Sequence, residues 1–224
     1  MTIRTCALVP VKPPARSKSR LVPVLEQDEC ASLSLAMLSD VIDALAGAAS
    51  VDEVVVITAD EDVASMVRQA GHRVIEDVST DLCGALDAAA RQLAENGVET
   101  LLIVPADIPT ITSTDVDNLI NKHQGGLSIS PAIRDGGTNA LVCSPPDAVA
   151  FCYGKDSARK HLQRAERAGI VSSRLPVPAF FRDVDLPDDL VWLNSQQCAP
   201  HTLDFLRESG INARLKPGVS GTRL

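Results

Sequence analysis

The 224-residue sequence predicts an α/β fold, a Rossmann-like sheet that is mixed but mostly parallel and flanked by helices. Three observations lead there. Short apolar runs rich in β-branched residues, Thr5 to Val9, Val54 to Ile57 and Leu101 to Val104, have the character of parallel strands buried on both faces. Helical periodicity fills intervals between them, and strands alternating with helices wind a right-handed parallel sheet. The second half changes pattern: Leu127 to Ala132 and Ala140 to Cys143 read as strands joined by a turn or loop at Arg134-Asp135-Gly136-Gly137.

From about Asp28 to Leu45, the residues Leu33, Met37, Val41 and Leu45 recur every four positions, and Leu38 and Ile42 widen that stripe into a core-facing surface. Leu82 to Glu95 repeats the pattern with Leu86, Ala89 and Leu93, then stops at Asn96-Gly97. A third helix is expected from about Ser157 to Ala168, ending at Gly169. Strands are expected near Val171 to Leu175 and Phe181 to Val184, after which Pro187 opens a helix carrying Leu190, Val191 and Leu193. Beyond it, Thr202 to Glu208 reads as a short helix and Lys216 to Leu224 as a mobile tail.

Composition narrows the function. Apolar residues make up 45% of the chain, enough for a sizeable core without staples. Six scattered cysteines with no C-x-x-C pair argue against a zinc ribbon or disulfide framework and suit a reducing cytoplasm. No segment approaches the roughly 20 apolar residues of a membrane span, so no membrane partner is expected. A formal charge of -8 disfavours a nonspecific nucleic-acid surface. Against that acidic background, Lys12, Arg16, Lys18 and Arg20 gather between Pro10 and Leu25 with no acid among them, which marks the segment for a phosphate-rich ligand.

Three segments carry the chemistry. Val104-Pro105-Ala106-Asp107-Ile108-Pro109 follows an apolar strand, which puts Asp107 at the carboxyl end of the sheet, where open α/β folds bind ligands. A carboxylate there suits a metal ion; a plain turn between two prolines is the alternative. In Phe181-Arg182-Asp183-Val184-Asp185, an extended strand would project Asp183 and Asp185 to one face, where two carboxylates repel unless a cation or proton lies between them. Magnesium answers that need, being a hard ion held by one or two carboxylates and substrate phosphate oxygens; a solvated strand end entering a helix, with Asp188 and Asp189 in its first turn, is the alternative. The loop from Lys12 to Arg20 lacks glycine and is neither a Walker A loop nor a dinucleotide fingerprint. Its cations would clamp a triphosphate and offset charge on departing pyrophosphate, or else form a basic surface loop.

Gly136-Gly137-Thr138-Asn139-Ala140-Leu141 and Phe151-Cys152-Tyr153-Gly154-Lys155-Asp156-Ser157 are individually ordinary turn and cap sequences. Together they suggest an anion site, with the N–H groups of the helix opened by Ser157 assisted by the Thr138 hydroxyl; Ser157 as a simple N-cap is the alternative. His72, His123 and His201 receive no role, and His161 reads as structural ahead of functional.

Taken in order, V-P-V-K, S-K-S-R-L, V-P-A-D-I-P, G-G-T-N-A-L, F-x-Y-G-x-x-S-A-R-K-H and D-V-D-L-P-D-D-L, spread over about Cys6 to Leu193, resemble the guanylyltransferases of coenzyme F(420) biosynthesis. This is the 2-phospho-L-lactate guanylyltransferase family with its phosphoenolpyruvate and 3-phosphoglycerate variants. The resemblance implies a nucleotide-diphospho-sugar-transferase-like fold in a nucleotidyltransferase domain at 1–195, followed by a C-terminal extension at 196–224. It implies Mg2+ held by Asp107, Asp183 and Asp185, and GTP as co-substrate facing Lys12 and Lys18, with Arg20 beside them. It also implies a phosphorylated acid held near Thr138 and Asn139 of T-N-A-L and near Gly154 and Ser157. Leu186 departs from the pattern, standing where a threonine is usual, so the last helix lacks a hydroxyl cap worth about 1 kcal/mol that must be made up elsewhere.

The expected reaction is direct displacement at the α-phosphorus of GTP by the substrate's phosphate oxygen. A sugar phosphate or pterin acceptor stays open, as does a catalytically silent nucleotide-binding module. A homodimer and a downstream transferase that uses the activated product are left open as partners.

Overall fold

The computed structural model describes residues 4–14 and 18–215. Its chain order is β1 (Thr5–Val11), α1 (Gln27–Ala46), β2 (Glu53–Thr58), α2 (Glu61–Gln69), β3 (Arg73–Glu76), α3 (Leu82–Glu95), β4 (Thr100–Ile103) and α4 (Ser113–Asn121). Then follow β5 (Gly126–Pro131), β6 (Thr138–Ser144), α5 (Ser157–Arg167), β7 (Ser172–Arg174), α6 (Pro187–Leu193) and α7 (Pro200–Glu208). The strands form one seven-stranded sheet in the order β3-β2-β1-β4-β6-β5-β7. The β3-β2-β1-β4 half is parallel, β6 runs antiparallel to both β4 and β5, and β7 is parallel to β5, so the sheet is mixed and mostly parallel as expected.

Period-two alternation builds the two cores. Ala7, Val9, Val54, Val56, Leu102, Ala140 and Val142 face one layer with α1, α2 and α4. Their neighbours Cys6, Leu8, Val55, Ile57, Leu101, Ile103, Leu141 and Cys143 face the other, with α3 and α5. Because both faces are covered, the strands are continuously apolar, the signal legible in the sequence. All six cysteines are free thiols, and no described helix is long and apolar enough to cross a membrane.

A third cluster lies beyond the sheet, where Leu21, Leu25, Cys30, Leu33, Met37, Val184, Leu190, Leu193 and Leu206 pack together. Helix α7 is fastened to α1 there through buried Asp40, whose carboxylate accepts from the amides of His201 and Thr202, both at 2.9 Å, and from the Thr202 hydroxyl. The tail expected at Lys216 to Leu224 lies outside the described residues.

Three elements were not anticipated from periodicity: α2, β3 and α4. Strand β3, Arg-Val-Ile-Glu, is a half-covered sheet edge whose ionised ends hide its apolar centre. Helix α4 is signalled by its capping box, in which the Thr112 hydroxyl accepts from the Asp115 amide while the Asp115 carboxylate accepts from the Thr112 amide.

One expectation needs correction. Residues 182–185 do not form a strand: a 3-10 turn at Pro178–Phe180 precedes them, and the chain crosses the strand ends instead of running along one. Single backbone bonds replace a ladder, from Ile133 N–H to the Phe181 carbonyl at 3.1 Å and from Val184 N–H to the Asp107 carbonyl at 2.8 Å. Pro178 and Pro187, which lack N–H donors, bracket the segment and help keep it out of the sheet.

Candidate active site

The topology creates a crevice before any side chain is considered. After β1 the chain builds β2 and β3 on one side and then returns to place β4 on the other, so strand order reverses between β1 and β4. Loops leaving the carboxyl ends of two such strands diverge and leave a cleft between them, the usual ligand position in open α/β sheets. Pairing of β1 with β4 ends at Leu8 and Ile103, while β1 continues along β2 to Val11. The basic loop therefore leaves β1 directly above the turn that carries Asp107.

Into this cleft come Asp107, Asp183 and Asp185, each offering a carboxylate oxygen within 4.8 Å of the others. The Val184 to Asp107 backbone bond ties the two acidic segments together between the carboxylates they present. Lys18, whose side chain is only 7% exposed, places Nζ 2.7 Å from Asp107 Oδ2 and 3.4 Å from Asp185 Oδ1. Arg20 pairs with the second oxygen of Asp185 at 2.9 Å, and Arg134 stands 3.8 Å from Asp183. Three cations thus border the three carboxylates.

The titration behaviour follows from these contacts. Burial alone would lower the Lys18 pKa, but the charge and hydrogen bond of Asp107, then Asp185 and Asp183, outweigh it and hold the ammonium above its ordinary value. Burial and the neighbouring Asp107 charge push the Asp183 carboxyl up, the signature of crowded carboxylates that a multivalent cation relieves.

The donor set fits a small hard ion. Octahedral Mg2+ at about 2.1 Å from each oxygen needs ligand separations from roughly 3 Å to about 4 Å. Side-chain movement of up to about 1 Å per oxygen would close a 4.8 Å span to that size.

Of the four cations in the basic loop, Lys18 and Arg20 meet the carboxylates, Lys12 is exposed just beyond β1, and Arg16 lies outside the described residues. Lys18 and Arg20 are thus paired with acids here, although their charge was expected to face phosphate.

The two turn segments also meet. Ala158 N–H donates to the Gly136 carbonyl at 3.1 Å and Asp156 N–H to the Asp135 carbonyl at 3.2 Å. Ser157 is the first helical residue of α5, with Asp156 in the left-handed conformation at the cap position. The hydroxyls expected to assist an anion are engaged within the protein: Thr138 Oγ1 lies 2.8 Å from Ser157 Oγ and 3.2 Å from His161 Nδ1. His161 Nε2 accepts the Cys152 amide at 2.8 Å, a structural role that burial enforces by lowering its pKa to about 4. Two N–H groups at the start of α5, those of Ser157 and Ala158, are occupied by the Gly154 and Gly136 carbonyls. Asn139 is buried with its amide nitrogen unpartnered, while Gly154, at φ +114, is exposed.

Sequence reasoning missed Arg134 and Arg182 and assigned Asp189 only a helix-end role. Asp189, 1% exposed, accepts from the amides of Leu186 at 2.8 Å and Asp185 at 3.0 Å, from Arg134 at 2.6 Å and from Arg182 Nε at 2.9 Å. This is the returning half of a capping box, which satisfies the Leu186 amide although Leu186 has no side-chain acceptor to offer the helix in exchange. Arg182 is held in turn over the Trp192 ring at 4.4 Å. The available signal was an arginine within an otherwise apolar strand-end pattern, too common to single out.

The family described as "Guanylyl transferase CofC like" matches residues 5–223. Among similar proteins, the phosphoenolpyruvate guanylyltransferase of Roseiflexus sp. (strain RS-1) is 38% identical over 192 residues, covering 85% of each chain. The 2-phospho-L-lactate guanylyltransferase of Methanothermobacter thermautotrophicus is 34% identical over 224 residues, 99% of this chain and 97% of that one. In fold, the chain is similar to a crystal structure from Desulfovibrio desulfuricans G20 assigned to the nucleotide-diphospho-sugar transferases, with a TM-score of 0.76, 22% identity and coverage of 94% and 97%.

Proposed function

Because the chain belongs to the CofC-like guanylyl transferase family, we propose that it transfers GMP from GTP to the phosphate of a small phosphorylated carboxylic acid, releasing pyrophosphate, in coenzyme F(420) biosynthesis. Membership makes it a nucleotidyltransferase; the acceptor and the metal ion are what we add. Among 2-phospho-L-lactate, phosphoenolpyruvate and 3-phospho-D-glycerate we place phosphoenolpyruvate first, since the Roseiflexus relative is named for it.

The observation that carries this reading is the meeting of Asp107, Asp183 and Asp185 in the β1/β4 crevice beside Lys18 and Arg20. Asp107, Asp183 and Asp185 would hold Mg2+, which when bound offsets charge on phosphate oxygens and aligns them. Lys18 and Arg20 would exchange a carboxylate partner for a phosphate oxygen as the triphosphate enters, with Lys12 on the same loop. Their charge then counters the negative charge that grows on pyrophosphate as the bond to the α-phosphorus breaks. The acceptor's phosphate oxygen is already ionised near neutral pH, so attack needs no general base and no covalent enzyme intermediate. Thr138, Asn139, Gly154 and Ser157, joined through the 135–137 loop, would hold the acid for in-line attack, with Thr138 and Ser157 giving up the hydrogen bond between their hydroxyls to do so.

Incubating the protein with Mg2+, each nucleoside triphosphate and a panel of the three acids, a sugar phosphate and a pterin tests this. We expect pyrophosphate release with GTP and one of the acids, with a guanylylated product found by mass spectrometry. Turnover only with the sugar phosphate or pterin would transfer the chain to a different acceptor class, and GTP binding without turnover on any acceptor would mark a silent nucleotide-binding module.

A further inference from the structure

The D-x-D segment that carries two of the three clustered carboxylates has no strand ladder to hold it. Its conformation rests on the Val184 bond to Asp107 and on one buried side chain, Asp189. One Asp189 oxygen accepts the consecutive amides of Asp185 and Leu186 at 3.0 and 2.8 Å, which fixes the backbone from which the Asp185 carboxylate projects. The other oxygen takes Arg182 Nε at 2.9 Å, and both lie 2.6 Å from one nitrogen of Arg134. That same guanidinium keeps its second terminal nitrogen 3.8 Å from Asp183, beyond hydrogen-bond reach.

We propose that Asp189 is a positioning residue of the metal site, acting in two ways. It sets the Asp185 backbone, and it holds Arg134 back from Asp183 so that the Asp183 carboxylate stays available to a cation. Released from Asp189, a guanidinium already this near would close on Asp183 as a direct ion pair and compete with the incoming ion. The inference rests on the Mg2+ reading of the carboxylate cluster.

The test is Mn2+ binding to the nucleotide-free protein, read from the loss of the free-ion electron paramagnetic resonance signal, on wild type, Asp189→Asn, Arg134→Met and the double variant, each checked for folding by circular dichroism. Asp189→Asn should bind Mn2+ at least about tenfold more weakly, and the double variant should recover part of that loss because the competing guanidinium is gone. A purely structural role for Asp189 would leave the double variant no better than the single one. Where Asp189→Asn fails to fold, Arg134→Met carries the test: Mn2+ binding tighter than wild type supports the competition, and equal or weaker binding overturns it. Wild type that fails to bind Mn2+ removes the metal reading itself. Wild type and Asp189→Asn binding alike, with wild type binding well, overturns only the role of Asp189.

Discussion

The amide of Val184 donates to the carbonyl of Asp107 at 2.8 Å, joining two segments 77 positions apart in the chain. This bond is what lets Asp107 share a site with the carboxylates on either side of Val184, and Val184 itself is fully buried among Leu21, Leu33 and Leu190, so the junction is anchored in the core.

Replacing Asp107 should therefore damage chemistry more than folding. The Asp107 side chain is 30% exposed and its carbonyl, which makes the junction, survives substitution. Asp107→Ala is expected to lower turnover at least about a hundredfold, the scale of losing one major electrostatic contributor. Turnover and a thermal melt together check this, and near-normal turnover removes Asp107 from the mechanism.

Lys18 offers a complementary test, because its ammonium relieves repulsion among acids and, on the proposed function, also meets phosphate. Lys18→Met should melt at lower temperature in chelator, regain much of that loss when Mg2+ is added, and turn over roughly tenfold or more slowly. Equal response of wild type and variant melts to Mg2+ would show that Lys18 and the ion do not share the carboxylates.

His161 makes stability depend on pH. Its pKa falls from 6.5 in the unfolded chain to about 4 in the fold, chiefly through burial. Below pH 6.5 the unfolded chain takes up a proton that the native protein refuses until about pH 4. The contribution is complete above 6.5 and is lost as pH falls through that window, amounting to roughly 3 kcal/mol. His161→Gln should flatten the denaturation midpoint between pH 6.5 and 4 relative to wild type; an unchanged slope would contradict the buried neutral imidazole.

Where α7 meets α1, Thr202→Val removes a hydroxyl donor from the buried Asp40 carboxylate while keeping the shape of the side chain. Urea unfolding should register a loss of roughly 1–3 kcal/mol with kcat unchanged. A fall in kcat at full folding would instead connect the α7 contact to the site.

Sequence alone determined the elements whose signal is local. Buried parallel strands announce themselves as continuous β-branched runs, so β1, β2 and β4 were legible, and the four-residue stripe of Leu33, Met37, Val41 and Leu45 marked α1 because one face of a helix must be apolar to pack. The basic loop was legible as an exception in an acidic chain, Asp107 from its place after an apolar strand, and Asp183 and Asp185 from their spacing. Tertiary structure alone decided that Asp183 and Asp185 sit on an irregular crossing segment and that Lys18 lies between Asp107 and Asp185. It also decided that the Thr138 and Ser157 hydroxyls are spent on each other and on His161, and that Asp189 fastens the D-x-D backbone. The first three depend on partners distant in the chain, and hydrogen-bond partners at such separations leave no periodicity for a sequence to display; the Asp189 bonds to Asp185 and Leu186 span only four and three residues, but an acid in a helix's first turn reads as an ordinary helix-end residue.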